Sequence, residues 1–137
     1  MTAVARDGLA GLEGFDPDAV PLSDVASLIR HFTVVERIGA TGRMLVARRA
    51  AGAQLHRAEG ERSAADWLAK LMGAPVGKAI DELRTSEEIG EHPDVDAAAR
   101  NAELSQGQLS EIADAAKANP KATKKLLASA RTNPYRK

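Results

Sequence analysis

The stretch that decides the fold runs from Ser23 to Gly52 and reads S-D-V-A-S-L-I-R-H-F-T-V-V-E-R-I-G-A-T-G-R-M-L-V-A-R-R-A-A-G. Val25, Leu28, Phe32 and Val35 recur at spacings of three and four, with Ile29, Ile38, Leu45 and Val46 beside them. That is the period of a helix, not the alternation of a strand. Ser23 reads as an N-cap, and Asp24 places a negative charge in the first turn, where the helix dipole favours it. The pattern predicts one helix to about Ala51, ending near Gly52; at a rise of about 1.5 Å per residue it is the longest element of the chain. Gly39 and Gly42 interrupt it at a cost of about 1 kcal/mol each relative to Ala. They mark a kink or a close approach of another helix, and close approach is the expectation adopted.

Working outward, residues 1–21 carry Gly8, Gly11, Gly14, Pro17 and Pro21, a density of breakers that predicts a mobile or extended lead-in. Downstream, Gln54–Arg62 is polar, with Gly60 as a turn. Ser63 is the next N-cap, with Asp66 three residues on in a capping-box arrangement. A short helix from Ala64 to Met72 is expected to bury Trp67, Leu68 and Leu71. Gly73-Ala74-Pro75 breaks it, and Pro75 suits the first turn of a helix running to about Ile89. His92-Pro93 ends that stretch. Asp94–Asn101 is a short Ala-rich helix, and Ser105 caps another that carries Leu109, Ile112, Ala113 and Ala116. After Asn119-Pro120, Lys121–Arg131 carries Leu126, Leu127 and Ala130 on one side, and Asn133-Pro134 ends regular structure. No strand pattern and no fixed-length repeat is visible. The expectation is an all-α fold: a long N-terminal helix followed by about five shorter helices, one pair resembling a helix-turn-helix. The helical domain spans 22–131, between the lead-in and a basic tail at 132–137.

A chain of 137 residues suits one small domain. Its aromatic residues are Phe15, Phe32, Trp67 and Tyr135, so the core must come from Ala, Leu, Val and Ile. There is no cysteine, hence no disulfide framework and no thiolate metal site, which points to a reducing, cytoplasmic setting. No apolar run approaches the roughly 20 residues of a membrane span, and Met1–Phe15 lacks the pattern of a secretion signal. Net charge is zero but unevenly placed: +1 over Met1–Ala58, −8 over Glu59–Asp114 and +7 over Ala115–Lys137. Such asymmetry predicts a tail that seeks anions or folds onto the acidic middle.

Three clusters could meet nucleic acid. Ala69, Gly73 and Ala79 have the spacing of a helix-turn-helix, with Leu68, Met72 and Leu83 at the apolar positions around them; helices that cross steeply need small side chains where they touch. The second helix would offer Pro75, Val76, Gly77, Lys78, Asp81 and Arg84 outward. Only Lys78 and Arg84 suit phosphate, and Asp81, Glu82, Glu87 and Glu88 oppose it, whereas a base-reading helix usually brings Arg, Lys, Asn or Gln. A compact helix pair with no DNA role is the competing explanation. In the basic C-terminal region, Lys121, Lys124 and Lys125 share one helix face, with Lys117, Arg131, Arg136 and Lys137 nearby. That face suits phosphate, or is simply solvated; no aromatic interleaves with it for single-strand stacking. Arg48, Arg49, His56, Arg57 and Arg62 form the third cluster, where the dipole at the end of a long helix explains cations without any ligand. Catalytic signals are few. His31, His56 and His92 lie far apart without carboxylates at ligand spacing, and there is no phosphate loop or nucleophile elbow. No metal, cofactor or small-molecule substrate is implied.

From Leu45 to Ala69 the chain reads L-V-A-R-R-A-A-G-A-Q-L-H-R-A-E-G-E-R-S-A-A-D-W-L-A, and from Ala102 to Ala116 A-E-L-S-Q-G-Q-L-S-E-I-A-D-A-A. With Gly73, Gly77, Ala79 and Leu83 between them, these stretches resemble the domain-of-unknown-function 222 family, found in actinobacterial proteins ahead of an HNH nuclease domain (the 13E12 repeat group). The likeness spans roughly Ser23 to Arg131, and G-E-R-S-A-A-D-W-L-A, Gly60–Ala69, is its most specific part. It implies a helical region that accompanies a DNA-cutting enzyme. No HNH metal ligand or general-base histidine can be placed on this sequence, so the expectation is a stand-alone form, a remnant or a fragment. The leading expectation is therefore a non-catalytic helical module that binds double-stranded DNA through Arg48, Arg49, Arg62, Lys78, Arg84, Lys121, Lys124 and Lys125. The alternatives are a protein-interaction module that self-associates through the long helix, and a remnant of a nuclease gene.

Overall fold

The computed structural model describes residues 2–132, and every regular element among them is helical. The chain parts after Thr33 into two compact units. The long helix α2, Leu22–Gly52, contributes its first part to one unit and the remainder to the other.

The first unit holds α1, Ala3–Glu13, a short 3-10 turn at Pro17–Ala19 and the start of α2. The expected extended lead-in is thus a helix over much of its length. Thr2 caps it by accepting from the Ala5 amide at 3.2 Å, and the Ala, Leu and Arg content offsets the cost of Gly8 and Gly11. Asp16 caps the 3-10 turn by accepting from the Asp18 amide at 3.0 Å. Phe15 and Phe32 meet edge to face, with ring centroids 6.3 Å apart. No described residue of this unit is buried.

The second unit carries the core. The rest of α2 is followed by α3 (Leu55–Ala58), α4 (Ala64–Met72), α5 (Val76–Gly90), α6 (Pro93–Arg100), α7 (Gln106–Ala118), a 3-10 turn at Pro120–Ala122 and α8 (Thr123–Thr132). Two helices go beyond the expected set: α1, and the single turn α3 inside the polar Gln54–Arg62 stretch. Helix ends follow their caps. Ser63 accepts from the Asp66 amide at 3.0 Å, and Ser105 forms a full capping box with Gln108. Gly73 stops α4 in the left-handed region at φ +65°, a conformation that costs glycine little. Ser23 is not a cap: α2 already begins at Leu22, and the Asp24 amide donates to the Pro21 carbonyl at 2.9 Å.

The larger core cluster joins Met44, Ile89, Val95, Ala98, Leu104, Leu109, Ile112 and Leu127. The smaller one gathers Ala47, Leu68, Ala69 and Ala79, with Trp67, Met72 and Leu83 partly buried against it. The α2 face that meets them is small: Ala40, Thr41, Met44, Ala47 and Ala50. Polar contacts fix this face in register. Thr41 donates to the Ala99 carbonyl at 3.3 Å, Ser86 to the Met44 carbonyl at 2.9 Å, and Arg37 to the Ala102 and Glu103 carbonyls at 3.3 Å each.

Burial departs from hydropathy on α2, and on α4 one burial expectation is corrected. The large apolar residues on α2, Val35, Ile38 and Val46, are exposed, because small side chains let α2 lie close to the core on the other side. On α4, Leu68 is buried and Trp67 half-buried, but Leu71 points to solvent. Gly39 and Gly42 do not interrupt α2, and no neighbour within the chain approaches them: a Cβ at either would have nothing within 4 Å. The close approach occurs instead at Gly90, where a Cβ would collide with the Arg48 guanidinium.

Candidate interaction surfaces

The helix-turn-helix spacing corresponds to a real packed pair. Ala69 and Ala79 are buried where α4 meets α5, Ala79 completely, and Leu68, Met72 and Leu83 pack around them. The first turns of α5 expose Val76, Gly77, Lys78 and Ile80, and further along the helix Glu87 is exposed while Asp81 and Arg84, paired with each other, keep 49% and 40% of their side chains exposed. Val76 and Ile80 cannot hydrogen-bond to base edges.

The eight residues expected to meet phosphate fall into two groups. Two are engaged by partners in the fold, although Arg48 keeps 33% and Arg84 40% of the side chain exposed. Arg48 donates through Nη1 to the Ser86 carbonyl at 2.9 Å, with Asp96 3.9 Å from Nη2. Arg84 pairs with both Asp114 and Asp81, and the Asp114 hydrogen bond, then that of Asp81, raises its pKa above the ordinary arginine value. The other six, Arg49, Arg62, Lys78, Lys121, Lys124 and Lys125, are exposed and form no ion pair among the described residues. Lys124 and Lys125 occupy the first turn of α8, where the dipole disfavours cations. Arg136 and Lys137 lie outside the described residues. Of the histidines, His92 has a carboxylate neighbour that spacing arguments overlooked: its Nε2 is 3.3 Å from Glu88 Oε1, one helical turn back. Among the described residues no three His, Cys, Asp or Glu side chains gather as a metal site would require, and no helix is long and apolar enough to cross a membrane.

A second kind of surface lies on the long helix, the element through which one alternative expectation has the chain self-associate. The solvent side of α2 carries Val35 at 61% exposure, Ile38 at 58% and Val46 at 68%, with Gly39 and Gly42 between them. Beside it, α2 and α4 enclose a groove of about 350 Å³, lined by Gly42, Val46, Trp67, Leu71 and Met72, with Leu71 at 68% exposure on its wall. The groove is edged by one charged device. Glu82, buried on α5, accepts from Arg43 Nε at 2.9 Å and from Gln106 at 3.0 Å, with Arg43 Nη2 at 2.8 Å. Its Oε2 has no partner among the described residues. Buried charge is tolerated only when paired, so Glu82 fixes Arg43 along the flank of the apolar strip.

No family model, curated protein or solved structure matches the chain.

Proposed function

We propose that the chain is a non-catalytic helical interaction module that docks a protein surface through the apolar face shared by α2 and α4. The observation that carries this is that α2 is apolar on two opposite sides. A surface helix of a globular protein is ordinarily apolar on one stripe, and a helix apolar all round is one that is covered. One side of α2 covers the core; the other leaves Val35, Ile38 and Val46 open beside an apolar groove. Isolated exposed apolar residues need no explanation, but a contiguous patch marks an interaction site. A photoreactive amino acid placed at Val46 and irradiated in cells is expected to form a protein adduct, identified by mass spectrometry, that a probe at Lys117 does not form. Equal labelling at the two positions, or none at Val46, overturns the docking role.

A second reading is phosphate binding by the start of α8. It is favoured by Lys121, Lys124 and Lys125, exposed and without ion pairs among the described residues, at a helix end where positive charge does nothing for the helix. The resemblance to the domain-of-unknown-function 222 family, whose members precede nucleases, adds to it. Fluorescence anisotropy with duplex DNA at about 50 mM salt tests it: each phosphate neutralised adds about −0.9 to the log–log salt slope. Absence of binding at micromolar protein removes this reading.

A further inference from the structure

The geometry points to a second copy of this chain as the occupant of the α2 face, packed antiparallel about a two-fold axis between Gly39 and Gly42. This inference rests on the docking role of that face and names its partner.

The face is complementary to itself in one register. When two α2 helices run antiparallel about that axis, Gly39 lies level with the partner's Gly42, and Val35 with the partner's Val46. Helical periodicity puts Glu36 and Arg43 on one flank of this strip and Ile38 and Leu45 on the other. In the antiparallel register Glu36 meets the partner's Arg43, and Ile38 meets the partner's Leu45, each contact occurring twice. This is the pattern of an isologous interface, in which one patch recognises itself. A parallel pairing would set Glu36 level with Glu36 and Arg43 level with Arg43, losing the complementarity. The charges are available for it. Glu36 has no ion pair among the described residues, and Arg43, though held by Glu82, keeps 40% of its side chain exposed. The glycines then have a role that the single chain does not give them. Both disfavour helix and both face open space, but at a helix crossing two bare glycines let the backbones approach closely.

The area sets the strength. Val35, Ile38, Val46 and Leu71 leave open the equivalent of roughly two and a half apolar side chains, on the order of 250 Å² per copy. That is about the apolar share of an interface of about 1,000 Å² in total, the lower end for a specific complex. The dimer is therefore expected to be weak, with a Kd on the order of 10 µM.

The chain contains no cysteine, so disulfide trapping can report the register. Sedimentation of the full chain from about 5 to about 200 µM is expected to show monomer passing to dimer. In an equimolar mixture of Val35→Cys and Val46→Cys chains under mild oxidation, the mixed disulfide should dominate over either homodisulfide. Gly39→Ala/Gly42→Ala should raise the melting temperature of dilute protein while weakening the dimer about tenfold or more, opposite effects that a purely structural role would not produce. Predominant homodisulfides, or an unchanged dimer constant in the glycine variant, overturn the proposal. So does a chain still monomeric at about 200 µM; if that monomer nevertheless yields an adduct to a different protein at Val46, the docking role stands and only the identity of the partner falls.

Discussion

Gly90→Ala is expected to destabilise the protein although it replaces a helical glycine with the best helix former. Gly90 is the last residue of α5 and its φ is not positive, so the backbone accepts alanine. In open space the change would gain up to about 1 kcal/mol, less at a helix end. The added Cβ, however, would collide with Arg48 Nη1 and lie 3.2 Å from its Cζ. The guanidinium must move, and it is the group that donates to the Ser86 carbonyl at 2.9 Å. A hydrogen bond with a charged partner contributes about 1.5–3 kcal/mol, so the net loss should be about 1–2 kcal/mol, the bond outweighing the propensity gain. The decisive assay is a double-mutant cycle by urea denaturation, followed by far-ultraviolet circular dichroism, on wild type, Gly90→Ala, Arg48→Met and the double variant. With Arg48 absent, Gly90→Ala should turn neutral or stabilising, giving a coupling of about 1.5 kcal/mol or more. Additive effects, or a stabilising Gly90→Ala in the wild-type background, would refute the assignment of Gly90 as the seat of Arg48.

Other consequences are more direct. Amides of α1 should exchange with solvent at close to unprotected rates while those of α7 are protected, because no described residue of the first unit is buried; protection of α1 comparable to α7 at low concentration would contradict this. Gly73→Ala should cost about 1 kcal/mol in urea denaturation, since alanine is strained at φ +65°. Leu109→Ala, at a position 1% exposed in the larger core, should cost about 3–5 kcal/mol by the same assay. Arg43→Met should cost about 2–3 kcal/mol, less than a wholly buried pair because Arg43 is partly solvated, by leaving Glu82 with Gln106 as its remaining donor among the described residues; a cost under about 0.5 kcal/mol would mean that Glu82 is otherwise neutralised.

The helical elements were legible where local chemistry determines them. Ser63, Ser105 and Gly73 announce helix ends because a cap involves only its own neighbouring amides. The small residues Ala69 and Ala79 announced a contact because both are buried where α4 meets α5. Burial was harder to read, since it depends on residues far along the chain. In α2 the eye follows Val25, Phe32, Val35 and Val46, yet the core takes Ala40, Thr41, Met44 and Ala47, a face inconspicuous by hydropathy and chosen for closeness. The cations were misleading for the same reason. Arg48 and Arg84 look like any surface arginine until Ser86 and Asp114, 38 and 30 residues away, are brought beside them. Glycine misled in the opposite direction: Gly39 and Gly42 in mid-helix face open space, and Gly90 at the end of α5 is where a side chain is accommodated.

Arg43 joins the stability of the fold to the chemistry of the α2 face. An exposed arginine that must be immobilised to meet a partner loses rotamer freedom, at a cost of about 0.5–1.5 kcal/mol per side chain. Here the cost is met within the single chain, because Glu82 takes both Nε and Nη2 at 2.9 and 2.8 Å and holds the planar group still. Nη1 has no acceptor among the described residues, so a second carboxylate can bind without further ordering. Arginine is suited to this double use, since its planar fork presents several donors in fixed directions, whereas lysine offers a single flexible charge. The buried Glu82 is therefore more than a tolerated charge. It converts a flexible surface cation into a preorganised one, which would give a partner docked on the proposed apolar patch orientation as well as affinity.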